Sequence, residues 1–273
     1  VRNEPPSPCD SDLYSADGTA HVPSVGGFYD LLSDSYDEFV GNWEQAVGRQ
    51  GLLLDHLLRH RVQDRSLSVW DAACGIGTQS LGLAACGHAV VGSDLSRRAV
   101  QRARREAAAR RLNIPFVVAD MRQPCGVPAD AFDAVVCADN SLPHLLTRSD
   151  VAAALAAMRR RLRAGGAVAV STRDYDRHRK ARPVATQPVR SGGSISFQTW
   201  DWLDADCYVS RAFLLRRAAD GWVTECLPPV TYRAWSAEEL RAAAEDVGLQ
   251  QVGWLSPADT GYHQPIMLAV RGT

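Results

Sequence analysis

Lysine is almost missing from this chain: Lys180 stands alone among 30 basic residues, which 31 acidic ones balance to a formal charge of -1 over 273 residues. A protein built to coat nucleic acid needs a strong basic excess to displace counterions from phosphates, so no nucleic-acid partner is expected. The stretch RRAVQRARREAAARR at 97–111 interleaves arginine with alanine and reads as the solvated face of a helix. CxxC pairs are also lacking. The seven cysteines, at 9, 74, 86, 125, 137, 207 and 226, are odd in number and sit mostly inside apolar runs, which predicts reduced, buried thiols rather than a disulfide frame or zinc site. No His, Cys or carboxylate cluster has ligand spacing, and no metal is expected. No apolar run approaches bilayer length, and the opening VRNEPPSPCDSD lacks the apolar core of a secretion signal, so the expectation is a cytoplasmic protein with no membrane partner. What remains is an enzyme or binding protein for a small molecule, with a homo-oligomer left open.

Apolar residues are plentiful, at 46%, enough for one large packed domain. Residues 1–24 begin Pro, Ser and Asp rich, which predicts a flexible N-terminal segment. Between 25 and 62, Phe28, Leu31, Leu32, Tyr36, Phe39, Val40 and Leu52 to Leu58 recur at helical spacing, predicting helices that cap a sheet. From there to Thr172, strand candidates at 67–72, 88–94, 115–120, 132–138 and 167–172 alternate with helix candidates at 78–86, 96–112 and 150–163. Such alternation implies crossover connections and a parallel sheet. The rhythm then changes. From about 176 to 232, Pro and Gly rich sequence leads into extended segments with an AADGW turn, predicting an antiparallel insertion. A helix opens at Ser236, with Glu239 placed for a capping box, and final strands near 250–256 and 265–271 close the sheet.

The stretch VWDAACGIGTQS, residues 69–80, runs from a strand into a loop with Gly75 and Gly77. A dinucleotide fingerprint would put a third glycine where Ser80 stands, and Asp71 would repel a pyrophosphate. A sulfonium-bearing amino acid nucleoside, which has no phosphate, suits Asp71 better because its ammonium wants a carboxylate. Asp94, ending the second strand, can accept both ribose hydroxyls, and Asp120, ending the third, can reach an adenine amino group with Met121 beside the ring. Any one of these aspartates alone reads equally well as a cap or strand end; the combination points to S-adenosylmethionine.

Taken together, VWDAACGIGTQS, VVGSDLS, VVADM and FDAVVCADNSLPHL resemble the class I S-adenosylmethionine-dependent methyltransferases, and within them the glycine and sarcosine N-methyltransferases. The resemblance implies an α/β, Rossmann-like, seven-stranded and mostly parallel sheet with helices on both faces and the last strand antiparallel. It implies cofactor contacts from Arg49, Asp71, Ala73, Gly75, Gly77, Asp94, Leu95, Asp120, Met121 and Asp139, and S-adenosylhomocysteine as product. The DNSLPHL segment implies Asn140, Ser141 and His144 at the cofactor and acceptor pocket, and TRDYD implies Arg173 gripping an acceptor carboxylate, as the fork of a guanidinium at a parallel strand's carboxyl end can. Arg173 could instead pair with Asp174 or Asp176 at the surface, and His144 could be an interior or cap histidine. The expected catalytic set is His144 as proton acceptor, Tyr14 and Arg173; Tyr29 and Tyr36 read first as packing residues. Phe197 and Tyr232, with Trp200 and Trp202, are expected to wall the acceptor pocket. A tailoring N-, O- or C-methyltransferase of secondary metabolism, a nicotinamide-dependent oxidoreductase and a non-catalytic cofactor-binding protein are the rival readings.

Overall fold

The computed structural model describes residues 23–62 and 66–272. The readings made for residues 1–22, Tyr14 and Cys9 included, lie outside the described residues.

The N-terminal cap is helical, as its spacing predicts. Helix α1 (Val25–Leu32) is capped by Ser24, a 3-10 turn spans Tyr36–Phe39, and α2 runs Trp43–Val62. Leu31 and Leu52, counted among the packing residues, are 50% and 63% exposed. The alternating segment follows as β1 (Ser68–Asp71), α3 (Thr78–Ala85), β2 (Ala89–Asp94), α4 (Arg97–Ala109), β3 (Phe116–Val118), β4 (Phe132–Cys137), α5 (Arg148–Arg161) and β5 (Leu162–Ser171). Ser96 and Thr147 cap α4 and α5 by accepting from the amides of Ala99 and Asp150, which fixes where each helix starts.

After β5 comes a short helix, α6 (Tyr175–Ala181), which the extended reading of this region does not include. Asp174 caps it, accepting from the Arg177 amide. The insertion then forms β6 (Val189–Ser191), β7 (Ser194–Trp202), β8 (Cys207–Ala218), β9 (Gly221–Cys226) and β10 (Val230–Arg233). Pro228 and Pro229 part β9 from β10, since proline cannot donate to a ladder. Helix α7 (Ala237–Asp246) starts with the capping box of Ser236 and Glu239, both bonds formed, and β11 (Leu249–Leu255), the short α8 (Pro257–Thr260) and β12 (Ile266–Arg271) end the chain.

The main sheet has the order β11-β12-β5-β4-β1-β2-β3, with β12 antiparallel to both neighbours and β5, β4, β1, β2 and β3 parallel. Strand side chains alternate between two cores. Val69, Ala134 and Val136 face α2, α3 and α4, while Trp70, Val135 and Cys137 face α5 and α7. The insertion is a separate antiparallel sheet, β10-β8-β7-β6 with β9 also on β8, and it has a third core of its own where Trp200, Tyr208 and Tyr232 meet Phe28 and Leu32 of α1.

Helix α2 lies against α3 at two glycines. A Cβ on Gly51 would come within 2.5 Å of the Gly82 backbone, and one on Gly82 within 2.4 Å of the Val47 carbonyl oxygen. Only glycine permits that approach. It brings Trp43 Nε1 to Thr78 Oγ1 at 2.9 Å and Gln50 Oε1 to Gln79 Nε2 at 2.6 Å, so the cap is fastened to the start of α3. Of the cysteines, Cys74 and Cys137 are buried as expected, but Cys125 is exposed in the turn after β3.

Candidate active site

The site forms at the carboxyl ends of the parallel strands, where open α/β sheets bind ligands. β1 ends at Asp71 and the chain turns sharply. Gly75 and Gly77, at φ +51° and +99°, occupy the left-handed region that side chains resist. Asp94 at the end of β2 holds this loop: its Oδ2 accepts from the Gly75 amide and its Oδ1 from the Ser96 amide, both at 2.8 Å. Burial raises the pKa of Asp94 despite these bonds. Asp71 is wholly buried beneath the loop. Its Oδ2 accepts from Ser80 Oγ at 2.6 Å, whereas Oδ1 makes no hydrogen bond of standard geometry. Burial pushes the Asp71 carboxyl up to about 7, against the opposing pull of Ser80.

Above the loop lies a mainly apolar cleft of about 640 Å³. Ala72 to Gly75 form its floor, Asp94, Leu95, Asp120 and Met121 one side, and Val25, Gly26 and Tyr29 of α1 a roof. The roof is held by Asp30, whose Oδ1 accepts from Ser96 Oγ at 2.6 Å. Leu95 is 41% exposed, and Asp120 gives both oxygens to Arg122, which also reaches Asp150. Those bonds outweigh burial and hold the Asp120 carboxyl below the usual range. Ser141 and His144 line the cleft's far end, the former with its hydroxyl turned to the Ala138 carbonyl at 2.8 Å.

A second, more polar chamber of about 370 Å³ adjoins the first, and Tyr29, Tyr36 and Asp139 line both. Asn140, Arg173, Tyr232, Tyr262, His263 and Gln264 are in its walls. Arg173 is half-buried, with Nη1 donating to Tyr208 Oη at 2.8 Å, Nη2 to Gln198 Oε1 at 2.9 Å and its amide to Asn140 Oδ1 at 3.0 Å. Its guanidinium lies 4.7 Å from the Trp200 ring centre and 5.4 Å from that of Tyr232. Neither Asp174 nor Asp176 pairs with it; among the described residues it has no acidic partner. Burial opposes its charge, but the surrounding phenol oxygens of Tyr208, Tyr175 and Tyr232 more than offset this and raise its pKa.

His144 accepts or donates at Nε2 to Tyr29 Oη over 2.8 Å and lies tilted against Tyr232, ring centres 4.1 Å apart and planes at 36°. Burial, with Arg173 nearby, lowers its pKa to about 3. The ring is therefore held neutral, with Nε2 engaged by Tyr29 and Nδ1 making no hydrogen bond of standard geometry. Arg49 stands in the chamber wall and not in the lining of the cleft that holds the glycine loop, with Nη2 on the Gly261 carbonyl at 2.8 Å. Phe197 is in neither cavity; it stacks on Phe213 at 5.2 Å, because its position on β7 turns it away from the chamber.

Several site residues carry no signal of their own in the sequence. Ser80 is visible only as a missing glycine. Gln79 and Tyr262 converge on Asp139 from α3 and the loop before β12: Tyr262 Oη donates to Asp139 Oδ1 at 2.7 Å and Gln79 Nε2 to Oδ2 at 2.7 Å, while Gln50 Oε1 on α2 lies within hydrogen-bond reach of both donors. Burial pushes the Asp139 carboxyl up, but His263, Tyr262 and Gln79 prevail and hold it low. Among the described residues no group of three or more His, Cys, Asp or Glu is placed to hold a metal, and no helix is long and apolar enough to cross a membrane.

A parallel sheet in this order, its antiparallel last hairpin and a glycine loop tied to an acidic second strand end define a class I methyltransferase domain. Residues 69–166 match the methyltransferase domain family. Glycine/sarcosine N-methyltransferase of Parasynechococcus marenigrum (strain WH8102) is 32% identical over 146 residues, 54% of this chain and 50% of that protein. The chain spans about half the length of that relative and of the corresponding Aphanothece halophytica protein. The fold extends further: the CcbJ methyltransferase of Streptomyces caelestis superposes with a TM-score of 0.72 at 19% identity, covering 90% of this chain and 98% of the other. The sugar N-methyltransferase KedS8 of Streptoalloteichus sp ATCC 53650 does so at 0.67 and 21%, covering 93% and 97%. Residues 69–166 carry a methyltransferase domain, and the chain as a whole has the fold of S-adenosylmethionine-dependent methyltransferases. S-adenosylmethionine is its cofactor, and the site fits it: the cleft has room for a nucleoside, and Asp71 lies buried under the loop that floors it.

Proposed function

We propose that the protein is an N-methyltransferase whose acceptor is a small amine carrying a carboxylate, of the glycine or sarcosine kind. The observation that carries this reading is Arg173: a half-buried guanidinium in the polar chamber, with donors to spare and no carboxylate among the described residues to neutralise it. A buried cation without a counterion favours an anionic ligand, and the guanidinium fork matches a carboxylate in shape.

Bound S-adenosylmethionine supplies a methyl group activated by its sulfonium for in-line displacement. The protein's part is alignment, which can contribute ~7–11 kcal/mol at best when reacting atoms are held in a near-attack arrangement. Asp94 would hold the ribose hydroxyls with the lone pairs it does not give to Gly75 and Ser96, and Asp71 the ammonium. Ala73, Leu95, Met121 and the half-neutralised Asp120 would frame the purine. Arg173 would fix the acceptor's carboxylate, Asn140 beside it, so that the amine points toward the junction of the two cavities. There Tyr29, held by His144 and by Tyr232 Oη at 3.3 Å, presents its hydroxyl.

A second reading has its own support. The chamber's 370 Å³ exceeds what glycine needs, and the neighbouring fold of a sugar N-methyltransferase accommodates an amine on a larger framework. One experiment separates them: mass spectrometry of products after incubation with S-adenosylmethionine and either glycine, sarcosine and larger amino acids, or amines and amino sugars without a carboxylate. Methylation confined to the carboxylate-bearing set supports the first reading. Turnover only of the set without a carboxylate overturns it, and binding of S-adenosylmethionine without turnover of any amine would leave a non-catalytic binding protein.

A further inference from the structure

We infer that His263, oriented by Asp139, accepts the proton that the acceptor's ammonium must lose before it can be methylated; this rests on the N-methyltransferase reading above. An α-amino acid is an ammonium near neutral pH, with no lone pair to attack a methyl group. Of the two histidines at the cavities, His144 and His263, the latter is the more exposed and the one paired with a carboxylate. It lines the polar chamber, its side chain is 45% exposed, and its Nε2 stands 3.2 Å from Asp139 Oδ1. One side of the ring therefore faces the chamber system and the rest reaches solvent, which is what a group that takes a proton inside and releases it outside requires.

Asp139 is set for the task at a conformational cost. It and Asn140 follow one another at φ +54° and +67°, a left-handed pair without glycine, which the surrounding structure must hold in place. The strain is held by the Asp139 amide donating to Ser171 Oγ at 2.8 Å and the Asn140 amide donating to the Ser171 carbonyl at 3.2 Å. Its result is a carboxylate at the junction of the two cavities, fixed from three directions by Gln79, Tyr262 and His263. When Nε2–H donates to this carboxylate, the unprotonated nitrogen of His263 is Nδ1, the arrangement by which a carboxylate orients an imidazole as base. The charged and titratable groups facing His263 are Asp139 from the turn after β4, Arg49 from α2 through the Gly261 carbonyl, Arg173 and Tyr36 across the chamber, and Tyr262 beside it.

In the step proposed, an N–H bond of the substrate ammonium breaks and its electron pair stays on nitrogen, where it becomes the nucleophile. The proton passes to His263 Nδ1, directly or through one water, and leaves to bulk solvent from the exposed ring.

The test is the pH profile of kcat/KM for wild type, His263→Gln and Asp139→Asn, with the amino acid that wild type methylates best. His263→Gln keeps a donor for Asp139 but no titrating ring. It should lose roughly tenfold or more at pH 7, recover to within about threefold of wild type near pH 10 where the free amine predominates, and regain rate at pH 7 with added imidazole. Calorimetric affinity for S-adenosylmethionine, unchanged in this variant, certifies its fold. Asp139→Asn should show the same pH signature on top of any uniform loss. A deficit equal at all pH values, or no deficit, overturns the role of His263. If wild type methylates no amine at any pH, it is the parent reading that has failed, and the assignment of His263 falls with it.

Discussion

Ser80 Oγ donates to Asp71 Oδ2 at 2.6 Å, joining the first turn of α3 to the buried carboxylate that ends β1. The bond lies where a dinucleotide site would have its third glycine, and it does the reverse of what such a glycine does: it supports a negative charge under the loop instead of clearing room for a phosphate.

That charge makes cofactor affinity depend on pH. The Asp71 carboxyl, raised to about 7 by burial, is mostly protonated at pH 6 and mostly ionised at pH 8. An ammonium ligand selects the ionised form, so calorimetry should find S-adenosylmethionine bound roughly tenfold more tightly at pH 8 than at pH 6, with proton release at the lower pH. The same group acts oppositely on the unliganded fold: with its folded pKa above the unfolded one, the stability it contributes is present at about pH 4 and lost as pH rises through 7. Ser80→Ala, which removes the donor, should weaken binding further and move the midpoint upward.

Asp94 satisfies two backbone amides while facing the cleft, and an alanine there leaves both without partners. Asp94→Ala should weaken S-adenosylmethionine binding at least a hundredfold, about 2.7 kcal/mol. Unaltered affinity by calorimetry would remove Asp94 from the ribose.

Arg173→Met should raise KM for a carboxylate-bearing acceptor by roughly a hundredfold, since a hydrogen bond to a charged group contributes ~1.5–3 kcal/mol, and leave the cofactor's Kd within about twofold. Arg173→Lys, which keeps the charge but not the fork, should recover only part of the loss. An unchanged KM would leave the amino acid reading without support.

Tyr29→Phe deletes the hydroxyl shared between His144 and Tyr232. Steady-state kinetics should show kcat lowered roughly tenfold, the cost of about one hydrogen bond at the reacting centre, with little change in thermal midpoint.

Gly82→Ala tests the cap. The added Cβ meets the Val47 carbonyl oxygen at 2.4 Å, backbone against backbone, so α2 must shift. A loss of ~1–3 kcal/mol is expected, and a fall in Tm of roughly 2–4 °C for each of them. Because Gln50 rides on α2, catalysis should suffer before the protein unfolds.

The glycine loop and the acidic strand ends around the cleft were readable from the chain because they are local: each strand, its acidic end and the following helix lie within a short stretch, and Ser236 with Glu239 marks a helix start in the same way. Much of the chamber was not. Tyr262 and His263 meet Asp139 across more than a hundred residues, and Gln264 accepts from Ser171 Oγ, only because β12 inserts beside β5. Gly51 and Gly82 look like helix-weakening glycines until α2 crosses α3. Tyr29 fits a packing stripe by its spacing, and its hydroxyl acquires a purpose only from partners on two other elements. Helix α6 was hidden by an Arg and His rich sequence whose one start signal, Asp174, stood beside the arginine that drew attention to the stretch.

The wall behind Arg173 belongs to the antiparallel sheet, whose tyrosines and tryptophans pack among themselves and on α1 rather than in the cores beside the parallel strands. On the reading proposed above, the acceptor would lie where two separately stabilised bodies meet, with Arg173 following β5 and Gln198 and Tyr232 coming from the antiparallel sheet. Exchanging side chains on β7 or β8 is then expected to retune which molecule is modified with less effect on the methyl source than changes on β10, whose Tyr232 touches Tyr29 and His144 of the cleft.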